Sequence, residues 1–453
     1  MNQNVLLISY HFHPSPAIGA RRPTKLANYM VSKDVNVTVI CKKNDVTINK
    51  DETHSSLSVN AVYQHPGILN PLWLLLKRCK QNMQRRPQTN SISDSIQPPS
   101  EAVQLAKNSY NINDETLAQK IRRYVLSGQA LLDASKSWLV LSALFVLFYK
   151  IKRKQFDVVI TSGPTSNAHL LGLLAKKLFG ARWILDLRDP ITIWDEIYPW
   201  CNSKWRRSIE DALERQYIKQ ADSIVCTSPS LIIDIEQNFP HARGKTELIY
   251  NGFDDPLPES PQGVTGKLKL MYAGALYMNR NPLPLFEAIE ELVNEPGVDR
   301  ALLVFDLYGS CQQWNGIDLI NWVKQHKLTD VILIHGSVSP QEVQERSLLS
   351  NVLVNFAQNQ PKQIPAKTFD QIACCKEVLL ISEPRSDSAE LIQKQGFGQV
   401  ANSDKCQLKV ILRELYQYYV INCTEYPIGR MNRVLFSRES QNSKYLELIL
   451  KID

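Results

Sequence analysis

The fold is decided by the stretch DVVITSGPTSNAHLLGLLAKKLFGARWILDL (157–187). It opens with a continuously apolar run at 157–162, continues with a helical pattern at 168–179 and ends in a second apolar run at 183–187. Short apolar runs on either side of a helix are typical of parallel strands that are buried on both faces. The stretch therefore predicts a βαβ unit of an α/β sheet.

The same alternation extends outward from this unit over most of the chain. In the first half it predicts strands at VLLISY (5–10), NVTVIC (36–41), SIVCTS (223–228) and ELIYNG (247–252), and a helix at TKLANYMVSK (24–33). After a Pro- and Gly-rich segment it predicts strands at 269–274, 302–309, 331–336, 351–356 and 378–382, and helices at 283–293 and 367–375. We expect two α/β domains, each a Rossmann-like parallel sheet.

The length of 453 residues also favours two domains, because a single core rarely grows to that size. We place the first domain at 1–257, the second at 258–430 and a C-terminal helix that returns to the first domain at 431–453. Residues 80–115 are polar and rich in Ser, Gln and Pro. We interpret them as a mobile surface insertion.

Basic residues are concentrated in the first half of the chain. Residues 1–250 contain 32 Lys and Arg against 21 Asp and Glu, a balance of +11, and the remaining residues contain 20 against 24, a balance of −4. A membrane surface, a phosphorylated lipid or a nucleic acid fits such a charge, and so does solubility alone. Nucleic acid is the weakest of these interpretations, because clustered aromatics do not alternate with the basic residues.

Two segments join an apolar run to basic residues, namely LWLLLKRCK (72–80) and WLVLSALFVLFYKIKRK (138–154). The apolar part of the second is shorter than the roughly 20 residues that span a bilayer. It is either a helix at the surface of an anionic membrane or a buried helix with a solvated basic end. The nine cysteines have no C-x-x-C spacing and the N-terminus does not resemble a signal peptide. We therefore expect a cytoplasmic protein in peripheral contact with the inner membrane.

The loop after the first predicted strand, YHFHPSPAIGARRP (10–23), has features of a ligand-binding turn. Gly19 lets the backbone approach a ligand closely, and Arg21 and Arg22 suit a phosphate. The two histidines of this loop lack a third ligand, so we expect no metal site.

A second group of charged residues follows the buried strand at 183–187. Asp186, Arg188 and Asp189 crowd its carboxyl end, where unpaired charges are unfavourable. These residues either contact a sugar or an acceptor, or form a structural Asp–Arg pair that stabilises the loop.

Two loops of the second half contain candidate contacts for a phosphorylated nucleoside. In YAGALYMNRNP (272–282), Gly274 follows a strand and Arg280 precedes a helix, which suits a pyrophosphate. In IPAKTFDQIACC (364–375), Lys367 suits a phosphate and Asp370 suits the two hydroxyls of a ribose. The alternative for Asp370 is a simple interaction with the helix dipole.

Taken together, these motifs resemble the glycosyltransferase family 4-like proteins of the GT-B fold, over most of the chain outside 45–135. The resemblance rests on the order of YHFHPSPAIGARR, TSGPTSNAHLLG, LDLRDP, ELIYNGFD, YAGALYMNRNP, IPAKTFDQIA and FSRES. It implies two Rossmann-like domains that face a cleft, and a retaining transfer of a sugar from a nucleoside diphosphate sugar. The implied acceptor is a lipid-linked glycan in surface polysaccharide or O-antigen (lipopolysaccharide) synthesis.

The resemblance also implies roles for individual residues. The donor contacts are Gly19, Arg21, Gly274, Arg280, Lys367 and Asp370, the catalytic residues are Arg280, Lys367 and Asp189, and the acceptor-side residues are His169, Asp186 and Arg188. No cofactor and no divalent metal are expected. The chain departs from the family pattern at Lys362, where an acid is common, and at Ala275, where many members have Arg. A sugar-nucleotide epimerase and a non-catalytic partner subunit are the alternatives.

Overall fold

The computed structural model describes residues 3–15, 17–42, 61–65, 134–163, 166–190, 204–254, 266–424 and 432–451. The chain forms two compact units. The first unit comprises Met1–Cys226, Ile232–Leu248 and Tyr445–Asp453, and the second comprises Thr227–Leu231 and Ile249–Lys444. The predicted insertion at 80–115 and the segment at 72–80 lie outside the described residues.

The first unit is built on one parallel sheet. Its strands are β1 (Asn4–Ser9), β2 (Asn36–Lys42), β3 (Ala61–His65), β4 (Val158–Ser162), β5 (Arg182–Leu187), β6 (Ser223–Cys226) and β7 (Thr246–Leu248). Its helices are α1 (Ile18–Ser32), α2 (Ala134–Ile151), α3 (Ser166–Phe179), α4 (Lys204–Gln220) and α5 (Pro229–Asn238), of which α5 begins in the second unit. The strand order is β3-β2-β1-β4-β5-β6-β7, and every neighbouring pair is parallel.

The predicted βαβ unit forms as β4, α3 and β5. Val158, Val159 and Ile160 are completely buried in β4, as expected for a strand covered on both faces. Gly172 allows α3 to approach the sheet, because a Cβ atom there would lie 2.4 Å from Thr161 Cγ2.

The second unit contains a second parallel sheet. Its strands are β8 (Leu268–Ala273), β9 (Leu303–Tyr308), β12 (Ile332–Ile334), β13 (Val352–Phe356), β14 (Glu377–Ile381) and β15 (Gly398–Ala401), and a small hairpin is formed by β10 (Gln313–Trp314) and β11 (Ile317–Asp318). Its helices are α6 (Leu283–Val293), α7 (Leu319–Gln325), α8 (Pro340–Leu348), α9 (Ala366–Ala373), α10 (Asp387–Gln395), α11 (Lys405–Tyr416) and α12 (Arg438–Leu450), of which α12 ends in the first unit. The sheet order is β12-β9-β8-β13-β14-β15.

The two sheets confirm the predicted fold class of paired parallel α/β domains. The strand predicted at 247–252 is shorter than expected and ends at Leu248. Beyond it, the Tyr250 amide bonds to the Gln441 side chain and Gly252 adopts a φ of +66°, so the backbone leaves the sheet. Among the described residues, no helix is long and apolar enough to cross a membrane.

Candidate active site

Two glycines bring the carboxyl ends of β8 and β9 into contact. A Cβ atom on Gly309 would lie 2.4 Å from the carbonyl oxygen of Gly274, and both residues have positive φ angles. The Gly274 amide donates to the Tyr308 carbonyl at 2.9 Å. The close approach requires glycine, and it opens the strand ends where ligands bind in α/β sheets.

Arg280 lies on the loop that leaves β8. Its Nη1 donates to the Ala275 carbonyl at 3.2 Å, and its guanidinium lies 4.5 Å from the centre of the Tyr277 ring. Its Nε is buried without a hydrogen-bond partner. The guanidinium is therefore oriented by the loop and retains an unused donor.

Lys367 is the second residue of α9 and its amine is buried without a hydrogen-bond partner. The Nζ atom lies 4.3 Å from the centre of the Tyr272 ring. Burial, followed by the nearby Arg280 cation, lowers the pKa of Lys367 well below its ordinary value, and the Cys311 thiol opposes this shift. A buried amine without a partner is unfavourable in the unliganded protein and is relieved by a bound anion.

Tyr272 connects the two basic side chains, and it is not among the site residues predicted from the sequence. Its ring underlies Lys367, and its hydroxyl donates at 3.0 Å to the Ala275 carbonyl that also accepts from Arg280. Burial raises the pKa of the Tyr272 phenol. An aromatic residue in an apolar strand normally belongs to the core, so the sequence contains no separate signal for this role.

The other predicted donor residues of this unit lie on neighbouring segments. Asp370 is half-buried on α9, one turn after Lys367, and its backbone carbonyl accepts from the Cys374 thiol. The Lys362 side chain is exposed, and its backbone carbonyl accepts from Ser228 Oγ at 2.7 Å. Asp370 therefore lies on the same helix as Lys367, three residues after it.

In the first unit, Asp186 forms a buried ion pair with Arg22. Arg22 Nε and Nη2 donate to the two carboxylate oxygens, each at 3.1 Å, and Ser162 Oγ donates to Oδ2 at 2.5 Å. Burial opposes ionisation of Asp186, but Arg22 and Ser162 outweigh it and hold the pKa of the carboxyl below its ordinary value. The described arrangement is a structural Asp–Arg pair, and its arginine is Arg22 from α1.

Arg188 binds the first turn of α1. Its Nη1 donates at 2.9 Å to the Gly19 carbonyl, and a Cβ atom on Gly19 would lie 3.3 Å from the same nitrogen. The ordinary helical partner of this carbonyl is missing, because position 23 is a proline without an N–H group. Burial and the Arg22 cation lower the pKa of Arg188, while Asp186 opposes the shift. Arg21 is exposed on the same helix.

His169 lies in the core of the first unit on α3. Its Nδ1 lies 3.0 Å from Thr161 Oγ1, which also accepts from Trp183 Nε1 at 2.9 Å. Burial lowers the pKa of His169 to about 4, so the ring is neutral near neutral pH. The predicted acceptor-side roles of His169 and Arg188 and the predicted catalytic role of Asp189 stay predictions.

No group of three or more His, Cys, Asp and Glu residues in the described part of the chain is arranged to hold a metal ion. Two basic side chains of the second unit are linked instead: Lys367 contacts the Tyr272 ring, and the Tyr272 hydroxyl donates to the same Ala275 carbonyl as Arg280. This arrangement suits an anion.

Comparisons with known proteins agree with the family resemblance that the sequence motifs indicate. Residues 113–252 match the family model described as a glycosyl transferase 4-like domain. No curated protein sequence is significantly similar to the chain.

Solved structures share the fold along their whole length. They include sucrose-phosphate synthase from Thermosynechococcus elongatus (13% identity, TM-score 0.58, covering 99% of this chain and 98% of the other). HepE from Anabaena in complex with UDP is 12% identical, with a TM-score of 0.59 and 99% of both chains covered. A glycosyltransferase from Rickettsia africae is 13% identical, with a TM-score of 0.57 and both chains fully covered. With the domain match, they confirm the predicted resemblance: residues 113–252 resemble a glycosyl transferase 4-like domain, and the chain has the GT-B fold.

Proposed function

We propose that this glycosyltransferase transfers a sugar, with retention, from a nucleoside diphosphate sugar to a lipid-linked glycan of a surface polysaccharide or O-antigen. The observation that carries the proposal is the pair of Lys367 and Arg280, two cations with unused donors at the carboxyl end of a parallel sheet. A diphosphate supplies the charge and the acceptor oxygens that both lack. The HepE structures were solved with UDP and UDP-glucose, so UDP is the first nucleotide to test.

The chemistry follows from this charge. The bond between the anomeric carbon and the diphosphate oxygen breaks, and its electron pair leaves with the nucleoside diphosphate. Lys367 and Arg280 stabilise the negative charge that develops on this leaving group. The acceptor hydroxyl then forms the new glycosidic bond, and its proton passes to an oxygen of the departing diphosphate. Because the two cations meet the leaving-group charge, we propose that transfer needs no divalent metal.

The remaining assignments are part of the same proposal. Asp370 accepts hydrogen bonds from the ribose hydroxyls, and the glycine at 274 admits the phosphates. Gly19 and Arg21 contact the donor, Arg188 and His169 lie on the acceptor side, and Asp189 is the catalytic carboxylate. The buried pair with Arg22 supports a positioning role for Asp186 rather than a direct contact with the acceptor.

The experiment compares Lys367→Met and Arg280→Ala with wild type, and uses Lys394→Met, at an exposed lysine of α10, as a matched control. Calorimetry with UDP and GDP reports binding, and transfer assays with and without EDTA report activity. We expect both site variants to lose UDP binding and to lose about 100-fold or more of kcat, because each removes a cation that stabilises the negative charge of the leaving group. The control should match wild type.

The melting temperature separates this function from a structural role. Lys367→Met removes a buried amine that has no hydrogen-bond partner, so we expect its Tm to equal or exceed that of wild type. Wild-type UDP affinity in Lys367→Met would contradict the proposal. Product released without any acceptor as an epimerised sugar nucleotide would favour the epimerase instead.

The cellular location belongs to the same proposal. We propose a cytoplasmic enzyme, which must reach the inner face of a membrane to use a lipid-linked acceptor. The balance of +11 in residues 1–250 supports peripheral contact with anionic lipid.

A further inference from the structure

Helix α2 carries two stripes of side chains, one buried and one exposed. Trp138, Ser142, Val146 and Tyr149 form the buried stripe. A second stripe, which we call the outer stripe, consists of Val140, Leu144, Leu147, Phe148 and Ile151. Its exposed fractions run from 41% at Leu147 to 78% at Ile151. A helix on the surface of a globular protein normally presents a polar face there.

The spacing shows that the outer stripe is continuous. Positions 140, 144, 147 and 151 repeat every three to four residues and 148 lies next to 147, so the side chains form one line along the helix. At a rise of about 1.5 Å per residue the line is about 16 Å long. Scattered exposed apolar residues need no explanation, but a continuous line of them marks an interaction surface.

Cations surround the end of this stripe. Lys150, Lys152 and Arg153 are exposed, and the Lys152 amine lies 5.7 Å from the centre of the Phe148 ring. Lys177, in the last turn of α3, is also exposed. The sequence of α2 contains no acidic residue.

After Lys152 and Arg153, the next charged residues that follow this end in the sequence are Lys154 and Asp157. Asp157 is the first acid that follows α2 in the sequence, and its carboxylate accepts from the Asn4 amide at 2.7 Å. Lys154 donates to Thr38 Oγ1 and lies over the Tyr149 and Phe156 rings. The surface therefore combines an apolar line with an excess of positive charge.

We propose that the outer stripe of α2 is the surface through which this protein docks on an anionic lipid membrane. The helix lies in the plane of the interface, with Leu144 and Ile151 among the acyl chains and Lys152 and Arg153 at the headgroups. Anionic lipid supplies both the apolar phase and the negative charge. A second copy of α2 would supply the apolar contact alone, because the helix has no acid to meet the lysines. The proposal extends the proposed membrane contact by assigning it to one helix face, and it rests on that part of the proposed function.

Co-sedimentation with vesicles tests the assignment. The full chain is mixed with phosphatidylcholine vesicles, and with vesicles that also contain phosphatidylglycerol, at low and high salt. The stripe variant combines Val140→Gln, Leu144→Gln and Ile151→Gln. Its matched control combines Val410→Gln and Ile320→Gln, which are exposed apolar residues of the second unit. The charge variant combines Lys152→Gln and Arg153→Gln, and its control is Lys394→Gln.

We expect wild type to bind the anionic vesicles at low salt and to be released by high salt. The stripe variant and the charge variant should each lose about tenfold or more of this binding, and both controls should match wild type. Because the substituted side chains are exposed, all variants should keep the wild-type Tm. UDP binding should also be unchanged, so failure of the docking surface is distinguishable from failure of the nucleotide site.

Three results would overturn the assignment: no vesicle binding by wild type, equal binding by wild type and the stripe variant, or binding that ignores lipid charge. Light scattering could give a fourth result that overturns the assignment. A wild-type dimer that becomes a monomer in the stripe variant would show that a second copy covers the stripe.

Discussion

Among individual residues, Tyr272 shows how an apparently ordinary core side chain organises the nucleotide site. Its ring lies under the Lys367 amine at 4.3 Å, and its hydroxyl holds the Ala275 carbonyl. An aromatic face stabilises a desolvated cation by up to about 2 kcal/mol. We infer that the ring keeps part of the Lys367 population charged despite its burial and the nearby Arg280.

This role gives a prediction that separates the ring from the hydroxyl. Tyr272→Leu should reduce UDP affinity by about tenfold, whereas Tyr272→Phe, which keeps the ring, should reduce it far less. Loss of the ring lowers the pKa of Lys367 further, so the affinity of the Leu variant should decline at a lower pH than that of wild type. Calorimetry across a pH series measures both effects. Equal affinities and equal pH profiles for the Phe and Leu variants would show that the ring is only packing.

The two arginines of the first loop show where sequence reasoning at this scale reaches its limit. Adjacent positions 21 and 22 looked equivalent as phosphate contacts, but Arg21 is exposed and Arg22 is buried in the pair with Asp186. Which of two neighbours turns inward depends on the helical phase of α1. That phase was not predictable, because the helix begins at Ile18 and includes Pro23, where the sequence pattern suggested a loop.

Among the elements, strands buried on both faces were the most predictable. β1, β4, β9, β13 and β14 lie close to their predicted bounds, because double burial leaves a continuous apolar run in the sequence. β15 was missed, since Gly398 interrupts its apolar character. A Cβ atom there would lie 2.0 Å from the Val378 carbonyl oxygen, so the close strand pairing itself demands the glycine. The polar helices α4, α8 and α10 were missed because their apolar stripes are narrow.

β14 also contains a buried carboxyl that makes stability depend on pH. Both carboxyl oxygens of Glu377, the first residue of the strand, are buried without a hydrogen-bond partner. Burial, and then the nearby Glu414, raises the pKa of Glu377 to about 8, although Arg433 opposes the shift. A raised folded-state pKa means that the stabilising contribution is complete below the unfolded pKa and is lost as the pH rises through the folded value.

We therefore expect this group to reduce stability between its ordinary pKa and a pH of about 8, by about 1.4 kcal/mol per pH unit at most. Glu377→Gln should flatten this dependence and should be more stable than wild type at the upper end of the window. Urea unfolding at several pH values measures the slope, with Glu342→Gln on the exposed face of α8 as the control. An identical slope in wild type and Glu377→Gln would refute the assignment of the pH dependence to this residue.

At the scale of the whole molecule, one buried network joins segments that are far apart in the chain. Arg22 on α1 bonds to Asp186 at the end of β5 and, through Nη2 at 2.9 Å, to the Tyr445 hydroxyl on α12. Ser162 at the end of β4 completes it. Tyr445 begins the C-terminal portion of the first unit, so the network ties that portion to the carboxyl ends of two central strands. From the sequence, an Asp–Arg pair at Asp186 was one of two alternatives, and its partners could not be named because they are separated from it by 164 and 259 positions.

The network predicts strongly coupled substitutions. Arg22→Met leaves the Asp186 carboxylate buried without its cation and should lower the stability of the first unit by about 3–5 kcal/mol. Tyr445→Phe removes one hydrogen bond and should lower it by about 1 kcal/mol. Arg22→Met combined with Asp186→Asn should recover part of the loss, because no buried charge then remains unpaired. Denaturant unfolding of five proteins measures these differences: wild type, Arg22→Met, Asp186→Asn, Tyr445→Phe and the double variant. If the double variant were destabilised by the sum of its single substitutions, Arg22 and Asp186 would be acting independently and the pair would not organise this end of the sheet.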